Sequence, residues 1–143
     1  MPYFKDSEEM YKVYQALFDR LAFHPEIGPS LLNSNLIVRF VVHDPEGIIT
    51  FNCREKPEEE GRYISYVLGE SPLKPDLTFT CSSDFSHKFW LGKVNIVSSL
   101  LSGEAKAEGN IPQAMKLLPA IKPVYDLYPE ILKEMGREDL IIE

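Results

Sequence analysis

The sequence has 143 residues, 44% apolar and 26% charged, a composition that fits one globular domain and leaves no room for a second core. Fifteen Lys and Arg against twenty-two Asp and Glu leave a net charge of −7, which argues against attraction to nucleic-acid phosphates or anionic lipid surfaces. No apolar stretch approaches the ~20 residues that span a bilayer, and the opening MPYFKDSEEM turns acidic where a signal peptide is apolar. The expectation is a cytoplasmic protein with no nucleic-acid partner and no stable membrane insertion.

Met10, Val13, Tyr14, Leu17, Phe18 and Leu21 recur at three- and four-residue spacing, which predicts an amphipathic helix from Asp6 to His24. Asp6 with Glu9 resembles a capping box, and Pro25 ends the helix. A short helix around Ile27 to Leu32 follows. The pattern then switches to period two: Leu36, Val38, Phe40 and Val42 form one face of a strand, while Ile37 and Val41 flank Arg39 on the other. Asp44-Pro45-Glu46-Gly47 suits a type I turn and predicts an antiparallel hairpin to a strand over Ile48–Arg54. Lys56 to Gly61, with Pro57 and three consecutive glutamates, reads as a solvated loop.

Arg62–Leu68 and Asp76–Cys81 read as two further strands. Ser82 or Ser83 caps a helix bearing Phe85, Phe89 and Trp90 and ending at Gly92, and a second helix runs from Asn95 to Leu101. Glu104-Ala-Lys-Ala-Glu108 alternates charge with alanine, as a strand with one wet face and one face of very small side chains does. Asn110 caps a helix that is interrupted near Pro119, and a last helix, Val124 to Met135, bends or restarts at Pro129.

Groups able to attack, titrate or coordinate do not gather into usable sets. His24, His43 and His87 fall on different predicted elements, so no metal site is expected. Ser82, Ser83, Asp84, Ser86 and His87 supply the letters of a nucleophilic triad, but adjacent helical positions point in different directions. No phosphate-cradling glycine loop occurs, so no nucleotide site and no cofactor are expected. Cys53 and Cys81 share strand faces with apolar residues and read as buried thiols rather than a disulfide or redox pair.

From Asp76 to Ile121 these features come in an order that resembles the sterol carrier protein 2 (SCP2) domain family. Asp76-Leu-Thr-Phe-Thr leads to Asp84-Phe85, then to Phe89-Trp90-Leu91-Gly92-Lys93. Leu100-Leu101-Ser102-Gly103, Gly109-Asn110 and Ala114-Met115-Lys116-Leu117 follow. The resemblance implies an α+β fold, a five-stranded, largely antiparallel sheet layered with helices around an apolar tunnel. It also implies binding of fatty acids, acyl-CoA, sterols or other lipids without catalysis. On this reading the chain is a single domain over 1–143, with 1–30 as an N-terminal helical extension and 123–143 as a C-terminal helical tail. Three departures stand out: Ala105 and Ala107 where larger aliphatics are usual, Asn110 where an acid is usual, and an Ile-Ile-Glu ending where a peroxisomal signal would stand.

The leading expectation is therefore a non-enzymatic carrier of a hydrophobic small molecule, with Phe85, Phe89, Val97, Leu100, Leu101, Ala105, Ala107, Met115, Leu118 and Ile121 lining the cavity. The C-terminal helix is expected to cover the mouth, so that removing the residues after Lys122 would speed ligand release. Two alternatives stand beside it. One is a small hydrolase or isomerase using a pocket carboxylate, with Asp84 as the candidate. The other is an interaction or accessory module whose apolar groove takes a partner helix or a second copy in a homodimer.

Overall fold

The computed structural model describes residues 2–142; Met1, and Glu143 of the Ile-Ile-Glu ending, lie outside the described residues. The first helix, α1 (Ser7–Phe23), buries Met10, Val13, Tyr14, Leu17, Phe18, Leu21 and Ala22, the stripe that the spacing predicts. Its N-terminus is capped as expected, with Asp6 Oδ1 accepting from the Glu9 N–H at 2.8 Å. Glu9 in turn accepts from Lys5, at 3.1 Å, one residue before the reciprocal partner of a regular capping box. His24 Nδ1 then accepts from the N–H groups of Glu26 and Ile27, both at 3.1 Å, which starts α2 (Ile27–Asn33).

Five strands follow the predicted order: β1 (Ile37–His43), β2 (Gly47–Asn52), β3 (Ser65–Leu68), β4 (Leu77–Ser82) and β5 (Lys106–Gly109). They form one sheet in the order β3-β2-β1-β4-β5. The β1–β2, β2–β3 and β4–β5 pairs are antiparallel, whereas β1 and β4 run parallel at the centre. At the β1–β2 corner Asp44 stands at φ 59 and the Asp44–Pro45 bond is cis, and the flanking strands pair as the expected antiparallel hairpin.

Register decides what the sheet offers to its helices. Ile49, Phe40, Phe79 and Ala107 lie side by side across four strands, and Phe51, Val38 and Leu77 form the next row. Residues paired across strands share a face, so these rows make one continuous apolar surface. On the opposite face Arg39 donates to Thr50 Oγ1 at 3.0 Å and to the carbonyls of Leu73 and Ser71 at 2.7 and 3.2 Å, which ties down the proline-containing loop between β3 and β4. Gly109, at φ 112, passes so close to Asp76 that a Cβ would clash with its carbonyl, which lets β5 seat against the start of β4.

The remaining helices are α3 (Ser83–Trp90), α4 (Ile96–Ser102), α5 (Ile111–Met115), α6 (Leu117–Ala120) and α7 (Val124–Glu134), followed by a 3-10 turn at Glu138–Leu140. Side chains of Ser82 and Asn110 cap α3 and α5 as the sequence predicts, and Asn95, placed by the sequence as the first residue of a helix, caps α4. Pro119 lies in α6, after a break at Lys116, while Pro129 lies within an unbroken α7. Among the described residues no helix is long and apolar enough to cross a membrane.

The apolar faces of α1, α3 and α7 pack on one another and extend the same core beyond the sheet. Val124, Tyr128 and Leu132 of α7 are completely buried, as are Phe4 and Tyr14. Polar atoms there are paired. The Tyr14 and Ser86 hydroxyls meet at 3.0 Å. His87 Nε2 lies 2.7 Å from the Leu140 carbonyl and Nδ1 lies 2.9 Å from the Tyr128 hydroxyl. A carbonyl only accepts, so Nε2 carries the proton and Nδ1 accepts from Tyr128.

Burial holds His87 below its usual pKa of 6.5. The unfolded chain then binds this proton more readily, so the contribution of neutral His87 is complete above pH 6.5 and is lost as pH falls through the lowered value. The melting temperature is expected to drop between about pH 7 and about pH 5, and to drop less in His87→Gln; equal slopes for the two proteins would assign the acid sensitivity elsewhere.

Candidate functional site

Between the apolar sheet face and the helices lies a cavity of about 100 Å³. The floor is Val38 and Phe40 of β1, Phe51 of β2 with Cys53 beyond it, Leu77 and Phe79 of β4, and Ala107 of β5. Leu21 of α1, Leu31 of α2, and Phe89 and Trp90 of α3 close one side. The cover is built from Ile96 and Leu100 of α4, Ile111, Ala114 and Met115 of α5, Leu117 and Leu118 of α6, and Ile121. Among the described residues every lining side chain presents an apolar surface except for the Cys53 thiol; the Nε1 of Trp90 is itself buried. Burial pushes the Cys53 thiol up to about 12, so it is protonated and unreactive at neutral pH. Cys53 and Cys81 are both buried and unpaired.

An aromatic cluster forms the inner wall. Phe40 meets Phe51, Phe79, Phe89 and Trp90 with ring centroids 5.6–5.9 Å apart, distances at which tilted and edge-to-face pairs attract. The small side chains of Ala107 and Ala114 face this cluster across the cavity, and the void persists because neither reaches into it.

Of the ten positions expected to line a cavity, Phe89, Leu100, Ala107, Met115, Leu118 and Ile121 stand on its wall. The other four are placed elsewhere. Phe85 is buried and packs on Phe79, with ring centroids 6.1 Å apart, and Ala105 is buried ahead of β5. Val97 and Leu101 are 55% and 85% exposed, because α4 carries two apolar pairs at i, i+4 spacing and turns the Ile96–Leu100 pair inward. Apart from Ala107 the floor was missed, because alternating strand residues read equally well as close-packed core. Phe40 and Phe79 carry the period-two signal that could have nominated them.

The cover also differs from expectation. No residue of α7 lines the cavity, since its apolar face packs against α1 and α3. The covering role falls to α4–α6. The hydrogen bonds of residues 95–104 run only within residues 95–105 among the described residues, so α4 is held to the body by side-chain packing, through Ile96 and Leu100 on the cavity and the buried Ser99.

Among the described residues Cys53 is the one titratable side chain on the cavity wall. Asp84 lies outside that wall and accepts from the Tyr3 backbone N–H at 2.9 Å. Glu58, Glu59 and Glu60 are exposed on their loop, where Glu59 meets Arg62 at 3.3 Å. Among the described residues no group of three or more His, Cys, Asp or Glu could hold a metal ion.

No family model matches the sequence, and no curated protein matches it significantly. Solved structures do. Sterol carrier protein 2 from Yarrowia lipolytica aligns over 84% of this chain and 92% of its own, with a TM-score of 0.60 and 18% identity. The sterol carrier protein domain 2 of Helicoverpa armigera aligns over 85% and 91%, with a TM-score of 0.58 and 22% identity. The chain has the sterol carrier protein 2 fold. The SCP2 fold also appears inside the inverting sec-alkylsulfatase Pisa1 from Pseudomonas sp., where 72% of this chain aligns at a TM-score of 0.57 and 16% identity; the match spans only 15% of that enzyme. At these identities the likeness is one of fold.

Proposed function

We propose that this protein binds and carries a hydrophobic ligand, a long-chain acyl compound or sterol-like lipid, without catalysing a reaction. The observation that carries this reading is the cavity itself. Protein interiors close-pack and leave few voids larger than a water molecule, and at ~24 cal/mol per Å³ an empty void of about 100 Å³ costs roughly 2 kcal/mol. A ligand that fills it removes that cost and adds about 0.8 kcal/mol for each buried CH₂ group, on the order of 10 kcal/mol gross for twelve carbons.

The cavity as it stands, about 100 Å³, is smaller than the ~300–1,000 Å³ typical of ligand pockets. Loading a long chain therefore requires the wall to move. The α4 segment supplies the movement, because withdrawing Ile96 and Leu100 opens the cavity without breaking the sheet or the packing of α1, α3 and α7.

Native mass spectrometry of the protein purified from its own cells, followed by lipid extraction, is the direct test. The expected result is a stoichiometric, chemically uniform apolar adduct. A clean apo mass, together with failure to take up a fluorescent fatty acid, overturns the carrier reading. It would favour a partner helix seated near the exposed Val97 and Leu101 on α4.

A further inference from the structure

The helices that cover the cavity differ in composition from the rest of the chain. None of α4, α5 and α6 carries a charged side chain, in a protein of which 26% is charged. Ser99 is the one buried residue of the three helices. Ile96, Leu100, Ile111, Met115, Leu117 and Leu118 line the cavity yet are only half-buried, and on the outer side of α4 Val97 is 55% and Leu101 85% exposed. Lysines stand at the ends of these helices: Lys93 before α4, Lys116 between α5 and α6, and Lys122 after α6. All three are exposed, and none joins an ion pair among the described residues. Gly92, next to Lys93, lies so close to the Tyr125 ring that a Cβ would clash, which sets the approach to α4 beside the chain leaving α6. Glu108 and Lys106 lie on the sheet face away from the cavity, since strand positions alternate and Ala107 lines it.

We propose that α4–α6 dock on an anionic lipid surface, with Val97 and Leu101 entering the boundary between headgroups and acyl chains and with Lys93, Lys116 and Lys122 meeting the phosphates. The docking surface goes beyond the carrier reading, because it rests on the outer side of the cover and not on the cavity. Aliphatic side chains bordered by lysines suit a bilayer interface, where lysine stems lie along apolar surface while the ammonium groups stay in water. A protein partner fits less well: residues 93–122 contain no Trp, Tyr, Phe or Arg, and Trp, Tyr and Arg are the usual anchors of protein interfaces. The acids behind the net charge of −7 lie elsewhere, since this stretch holds two of the twenty-two. Screening beyond about 8 Å at physiological salt leaves the nearby lysines to decide the contact. As Val97 and Leu101 enter the interface they draw α4 outward and Ile96 and Leu100 with it, so the surface that holds hydrophobic molecules is the one toward which the cavity opens.

Flotation tests the docking, with vesicles of phosphatidylcholine alone and of phosphatidylcholine and phosphatidylglycerol in equal parts. Wild-type protein is expected to float with the mixed vesicles, to bind phosphatidylcholine more weakly, and to leave the mixed vesicles as salt is raised. Leu101→Ser is expected to lose about tenfold in affinity for mixed vesicles, and Lys93→Gln and Lys116→Gln about fivefold each. Melting temperatures stay unchanged, because all three side chains are exposed. Val67→Thr, at a 38% exposed position on β3, is expected to bind as wild type does. Failure of the wild-type protein to bind mixed vesicles overturns the docking and leaves Val97 and Leu101 to a protein partner. Binding that Leu101→Ser and the lysine variants leave unchanged overturns it as well. Uptake of a fluorescent fatty acid from solution, measured alongside, separates the two readings. Uptake without vesicle binding leaves the carrier reading standing, whereas vesicle binding without uptake or a bound lipid overturns the carrier reading and leaves the docking surface in place.

Discussion

A chain ending at Lys122 is expected to be unfolded rather than leaky. The sequence suggests a helical tail that covers a cavity and can be removed, but the structure uses that tail as core. Val124, Tyr128, Ile131, Leu132 and Leu140 are each at most 2% exposed, and at about 1.5–3 kcal/mol per fully buried large side chain their contribution is on the order of 10 kcal/mol. That rivals the ~5–15 kcal/mol total stability of a typical domain. Truncation also strips His87 of both its partners, Tyr128 and the Leu140 carbonyl. Far-UV circular dichroism with a urea titration reads the outcome. The expected result is a chain with no cooperative transition. A truncated protein that melts cooperatively near the full-length temperature would show that the packing of α7 on α1 and α3 is dispensable and return α7 to the role of a lid.

Replacing Phe40 by alanine is expected to cost ~3–5 kcal/mol, the range for emptying a large aromatic site in a core. Phe40 is the residue on which four other rings of the cavity wall converge, and it sits in a central strand that is paired on both sides. The surrounding backbone is therefore poorly placed to collapse into the space. The same substitution enlarges an existing cavity, so an apolar probe should recover part of the lost stability through RT ln(1 + [L]/Kd). Urea midpoints with and without saturating octane measure both effects. A loss under ~1 kcal/mol, with no rescue by octane, would mean that Phe89 and Trp90 close over the gap and that the wall is more plastic than its ring packing implies.

The sequence was legible wherever structure is decided within a few residues. Helix α1 follows from its apolar spacing and from Asp6, and the caps at Ser82 and Asn110 follow from the side-chain oxygens that meet orphan N–H groups. Strand alternation identified all five strands, and the alternation of charge with alanine near Ala107 marked a small-residue wall. The ordered features from Asp76 to Ile121 pointed to the SCP2 fold that the solved structures share.

Other features arise only when distant segments meet. Which apolar pair of α4 faces inward depends on where the sheet lies, since Ile96–Leu100 and Val97–Leu101 are equivalent by local pattern. The parallel β1–β4 pairing joins strands more than thirty residues apart in sequence, and it is that pairing which sets Phe40 beside Phe79 and completes the cavity floor. The use of α7 as core depends on the apolar faces of α1 and α3 being left free by the sheet. Sequence by itself determined the elements and their order, through caps, periodicity and turn residues acting over one or two turns of chain. Tertiary structure decided which faces became core and which enclose a void, because burial is a competition among all the apolar faces of the molecule for a single sheet.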